Sequence, residues 1–113
     1  MGYCRAVRTG PHVAVSGTAP VDEDGQVVGV GDPYLQAKCC IEIIAEALQQ
    51  AGASLDDVVR TRMYVTDISH WEAVGTAHGE AFREIQPATT MVEVTALIDP
   101  DMLVEIEADA FVG

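Results

Sequence analysis

"MLVEIEADAFV", Met102 to Val112, alternates without a break. Met102, Val104, Ile106, Ala108 and Ala110 fall on one side, and Leu103, Glu105, Glu107, Asp109 and Phe111 on the other. A period of two marks a strand with one buried face. Carboxylates at i and i+2 on one face stand only about 6.6 Å apart, so they repel unless something answers them. Arg60 and Arg62, inside "VVRTRMYVT", are the candidate partners. That segment, Val58 to Thr66, alternates as well, with Val59, Thr61, Met63 and Val65 expected in the core. A sheet with one apolar and one charged face calls for helices on a single side.

The helices are legible on either side of Val58. Asp32-Pro33 is a helix start, a side-chain cap followed by proline at the first helical position. From Pro33 to Ala51 the apolar residues Cys40, Ile43, Ile44, Ala47, Leu48 and Ala51 share one face, and Gly52 closes the helix. A second helix is expected from Ser69 to Glu84, with Trp71, Val74, His78, Phe82 and Ile85 on one stripe. Gly75 and Gly79, four apart, leave a smooth strip open to close approach. Tyr3–Arg8 and His12–Thr18 read as a hairpin turning at "TGP", Asp24-Gly25 as a tight turn, and Thr90–Leu97 as another strand. The order predicts a single α+β domain over residues 1–113, a mixed sheet with two helices packed on one face.

Six Lys and Arg against eighteen Asp and Glu give a net charge of −12. Such a field repels phosphate backbones, and no basic run offers an exception, so nucleic acid is not an expected partner. No apolar run approaches the roughly 20 residues of a membrane span, and no secretory signal is read at the N-terminus. Cys4, Cys39 and Cys40 lack metal-ligand spacing and read as reduced residues of a cytoplasmic protein. The three histidines share no metal spacing either, and "GVGDP" lacks the third glycine of a dinucleotide loop. No metal and no cofactor is expected.

Two residues have competing roles. Glu105 is either an ion-pair partner of Arg60 or Arg62, or a general base holding a water. His78 is either a hydrogen-bonded core histidine or a functional one.

Four segments in order, "AVSGTAP", "AGASLDDVVRTRMYVTDISHWEAVGTAHGEAF", "PATTMVEV" and "LVEIEADA", resemble the Rid proteins, the reactive-intermediate deaminases also called the YjgF family. The resemblance starts late relative to many members, which leaves room for a short upstream segment. It implies a chorismate-mutase-like fold, a homotrimer and a small-molecule cleft between subunits. It also implies cofactor-free hydrolysis of enamines or imines such as 2-aminoacrylate to a 2-keto acid and ammonia. By position Glu105 is the residue that holds the water. Tyr3 and the pair Ser16-Gly17 shape the pocket, and Gly75 and Met91 occupy further pocket positions. Where active members carry a carboxylate-binding arginine, this chain has Thr89, which offers one neutral hydroxyl in place of a charged fork. Arg5 shares a strand face with Tyr3 and either supplies the displaced cation or pairs with a surface carboxylate. The resemblance thus implies a hydrolase poor on 2-aminoacrylate, or a trimeric metabolite binder without catalysis. An endoribonuclease or translation inhibitor is the reading that the charge opposes.

Overall fold

In a computed structural model describing residues 1–113, five strands form one sheet in the order β1-β2-β5-β3-β4. The elements are β1 (Ala6–Thr9), β2 (His12–Thr18), α1 (Pro33–Gln50), β3 (Val58–Val65), α2 (Trp71–Phe82), β4 (Ala88–Glu93) and β5 (Val104–Phe111). β5 lies at the centre, antiparallel to both β2 and β3. β4 joins β3 in parallel, so the sheet is mixed. Val104, Ile106, Ala108 and Ala110 are buried with Val13, Val15, Met63 and Val65 beneath the helices, as the alternation of β5 predicts.

Several boundaries and faces differ from the sequence reading. Tyr3 and Arg5 precede β1 instead of lying in it, and β4 starts at Ala88 and stops at Glu93. Val59 is exposed and Val58 buried, because a bulge between Val58 and Arg60 shifts the alternation by one residue. A 3-10 turn, Ile68–His70, replaces the expected first turn of the second helix and leaves Trp71 in solvent. Nothing in the chain approaches Gly75 or Gly79, whose absent side chains face open space. In α1 the cap holds: Asp32 accepts a bond from the Leu35 amide at 3.1 Å. Gly52 takes the left-handed conformation (φ +80°) that ends the helix.

The buried face of α1 contains a residue that the apolar pattern passed over. Gln36 is fully buried, and its amide donates to the Asp101 carbonyl at 2.8 Å and to the Gly29 carbonyl at 3.3 Å. Its Oε1 accepts from the Leu103 amide at 2.7 Å. A buried amide is tolerated only when paired in this way. The bonds tie α1 to the segment entering β5, and so fix where the central strand begins.

At the other end of the sheet α2 rests on β3 through His78. The ring packs against Phe82 with centroids 4.6 Å apart, and its Nε2 lies 2.9 Å from the Thr61 hydroxyl. Burial holds the imidazole below its ordinary pKa of 6.5. Beyond α2, Gln86 takes φ +53° and turns the chain through Pro87 into β4.

Two outcomes follow from these contacts. Gln36→Leu keeps the volume but strands two buried carbonyls and an amide, and should cost about 2–4 kcal/mol in a urea melt. A loss below about 0.5 kcal/mol would show that the bonds do not set the strand. His78 has a folded-state pKa below its unfolded value, so the unfolded chain binds the proton first as pH falls. Stability should therefore decline from about pH 6.5 down through the folded pKa, and level off below it. His78→Gln should flatten that part of the melting-temperature profile; a profile parallel to wild type would assign the slope to other groups.

Candidate functional site

The uncovered face of the sheet carries the carboxylate row. Tyr64 donates to Glu107 Oε1 at 2.6 Å, and this bond raises the phenol pKa. Arg62 Nη1 lies 3.5 Å from Glu107 and 3.3 Å from Asp109. His12 Nε2 lies 3.2 Å from Asp109 Oδ1, with its ring stacked on Phe111 at 4.8 Å. Arg62 therefore answers the row as expected, whereas Arg60, exposed beside the bulge, forms no ion pair. Glu105 forms none either. Its neighbour across β3 is Tyr64, whose hydroxyl is already committed to Glu107. The ion-pair role expected for Glu105 is thus overturned.

What Glu105 does meet is a break in β2. The β2–β5 register slips between Val15 and Thr18, and Gly17 lies in the slip. A Cβ on Gly17 would stand 2.6 Å from Glu105 Oε2. Only glycine lets the carboxylate lie this close to the backbone. Arg5 grips the same turn: Nη2 donates to the Gly17 carbonyl at 2.9 Å and Nη1 to the Thr18 hydroxyl at 3.1 Å. Thr18 can accept because its own proton goes to the Ser16 carbonyl at 2.8 Å. Ser16 in turn donates to the Cys4 carbonyl at 2.6 Å, holding the N-terminal segment against the sheet. The guanidinium lies 5.8 Å from the centroid of the exposed Tyr3 ring, within cation–π range. Arg5 pairs with no carboxylate, against one of the two expectations for it; its partners are all neutral.

Tyr3, Arg5, Ser16, Gly17 and Glu105 therefore form one group. Thr89 and Met91, both on β4, lie apart from that group. Thr89 is aligned with Thr61 across the β3–β4 ladder, and Met91 with Met63. Both side chains take the helix-covered side of the sheet, with Met91 packed against the core and Thr89 exposed at the edge. Gly75 lies on α2, with open space where its side chain would be. Glu105 is two strands away and on the opposite face, so one chain does not bring the two groups together.

Two participants were not singled out as site residues in the sequence. Thr18 is fully buried yet polar, and it is the seat of Arg5. Thr61, on the core side of β3, accepts or donates to both His78 and Thr89 at 2.9 Å. A threonine on the apolar side of a strand was the available clue in each case. Cys40 is buried, which pushes its thiol pKa up, and no three His, Cys, Asp or Glu side chains stand together as a metal site.

The chain matches known proteins along nearly its whole length. The Endoribonuclease L-PSP family model matches residues 1–112. A Mycobacterium tuberculosis member of the YjgF/YER057c/UK114 family is 55% identical, with a TM-score of 0.89 over 98% of this chain and 87% of that one. The 3-aminoacrylate deaminase RutC of Acinetobacter baylyi is 37% identical over 110 residues, 97% of this chain and 86% of the relative. E. coli TdcF, solved with bound serine, is 26% identical with a TM-score of 0.91, over 100% and 90% of the two chains. With a family model spanning all but the last residue, the chain belongs to the Endoribonuclease L-PSP family, the YjgF or Rid proteins.

Proposed function

We propose that this protein is a homotrimeric hydrolase of a small enamine or imine acid, working in clefts between subunits. The observation that carries the reading is Glu105: a carboxylate with no partner in the chain, laid against Gly17 beside an arginine that pairs with no carboxylate. A carboxylate so placed can hold a water. The water oxygen attacks the imine carbon while Glu105 takes its proton and passes it to nitrogen. Glu105 then takes the remaining hydroxyl proton to the same nitrogen as the C=O forms and the C–N bond breaks, and ammonia leaves. Imine and water are converted to ketone and ammonia, with no redox change and no cofactor. Arg5 offers its charge to the substrate carboxylate from the same side. The deaminase activity named for the A. baylyi relative supports this class of reaction.

Thr89 sets the limit. It provides no charge from the β4 side, so a carboxylate is held from the Arg5 side alone and the reacting carbon of 2-aminoacrylate is poorly oriented. The same neutrality favours a second reading, a metabolite binder without turnover. Ribonuclease activity, which the family description names, fits badly with a net charge of −12.

The trimer rests on geometry. The two groups of pocket residues lie on opposite faces of one sheet, with Glu105 two strands from Thr89, so a cleft that uses both needs a second copy, and heterologous contacts between copies close into a ring. The uncovered face also leaves Val7, Val92 and Phe111 exposed. Light scattering should give a mass of about 36 kDa, three chains of 12.0 kDa. A 12.0 kDa species at micromolar concentration would remove the cleft.

Glu105→Gln decides between enzyme and binder. Ammonia release from freshly generated imine acids should fall roughly 10²-fold or more, with the melting temperature within a degree or so of wild type. Arg5→Ala should weaken binding of small carboxylic acids, and Arg5→Lys should recover only part of it, since lysine lacks the fork. Unchanged turnover in Glu105→Gln would make Glu105 scaffolding.

A further inference from the structure

The hydroxyl of Thr89 is in contact with two groups, and proton accounting fixes its direction. Thr89 Oγ1 lies 3.0 Å from the Pro87 carbonyl and 2.9 Å from Thr61 Oγ1, and Thr61 Oγ1 lies 2.9 Å from His78 Nε2. A carbonyl cannot donate, so the Thr89 proton belongs to Pro87. The Thr61 proton must then go to Thr89, and His78 must donate from Nε2 to Thr61. The opposite direction, from Thr89 through Thr61 to a bare Nε2, leaves the Pro87 contact without a proton. Because burial keeps His78 neutral, it carries one ring proton, and that proton is on Nε2.

We infer that Thr89 is a specificity-determining acceptor: its only proton is spent on the Pro87 carbonyl while the relay from His78 donates toward it, so the cleft presents a lone pair where a ligand group meets β4. A carboxylate or ketone oxygen finds no donor there. An N–H or O–H group does find a partner. The ligand class is then a small acid with its carboxylate toward Arg5 and a neutral donor, such as a carboxamide or amino group, toward Thr89. This rests on the cleft reading above. His78 is a positioning residue in this scheme, since it acts on the ligand only through Thr61 and Thr89. The exposure of Thr89 on an edge strand leaves its remaining lone pair open to a ligand.

Matched acids test the polarity of the site. Oxamate and pyruvate differ only in NH₂ for CH₃, as do succinamate and levulinate. The amide should bind the wild-type protein more tightly in at least one pair, by roughly three- to tenfold, the yield of one neutral hydrogen bond. Thr89→Val should abolish that preference and leave the keto-acid affinity as it was, while Thr89→Ser should keep it. Nitrogen-15 NMR should find His78 protonated at Nε2 with Nδ1 bare. Equal or tighter keto-acid binding in both pairs, a preference that survives Thr89→Val, or a proton on Nδ1 overturns the inference and leaves the cleft reading standing. If neither acid of either pair binds the wild-type protein, cleft and inference fall together.

Discussion

Everything in this structure hangs on the central strand having one face for the core and one for charge. β5 is paired on both edges, so its apolar face must be filled by the helices, and its other face must carry three carboxylates in a row. Repulsion in that row is relieved locally. Tyr64, Arg62 and His12, from the two flanking strands, take up Glu107 and Asp109. The third carboxylate has no such neighbour, and it lies where β2 loses register with β5. The slip and the unanswered charge belong together. A regular ladder would place a side chain opposite Glu105, whereas the slip presents glycine backbone and makes room for the carboxylate.

Arg5 is a cation left uncancelled in a strongly acidic protein, which is what the proposed role in holding an anion requires. Distant surface carboxylates are screened over about 8 Å at physiological salt, so their summed field fades before it reaches a bound ligand. A guanidinium at contact distance is not screened in that way. Because Arg5 is seated by a carbonyl and a hydroxyl, its orientation is fixed without its charge being cancelled. Had it paired with a carboxylate, as Arg62 does, it would be positioned but neutralised.

The alternation of β5, the helix cap at Asp32, the left-handed glycine at position 52 and the mixed α+β layout were all legible in the sequence, because each is a local rule with a local cause. What stayed hidden depended on two segments meeting. The bulge at Val58–Arg60 moved Val59 from core to surface, and nothing in the residues themselves announces a register slip. Gln36 falls outside the apolar pattern of α1, and its role exists only because the carbonyls of Gly29 and Asp101 come within reach. Glu105 is the most telling case. Its pattern fits an ion pair as well as a base, and only the placement of Tyr64 and Gly17 separates the two.

The division of the proposed pocket residues between two parts of the sheet constrains how such a site can work. Arg5 and Glu105 belong to the β1–β2–β5 side, and Thr89 with its relay to the β3–β4 side. In the proposed ring each cleft joins one half from each of two neighbours, so the number of complete clefts equals the number of subunits. Opening any one contact destroys a cleft without disturbing the hydrogen bonds that orient either half. Arg5 keeps Thr18 and Gly17, and Thr89 keeps Thr61 and Pro87, because all of these partners lie within one chain. Both halves are therefore organised before assembly. The association of the subunits then has only to bring them face to face, and little further ordering of side chains is needed when a ligand arrives.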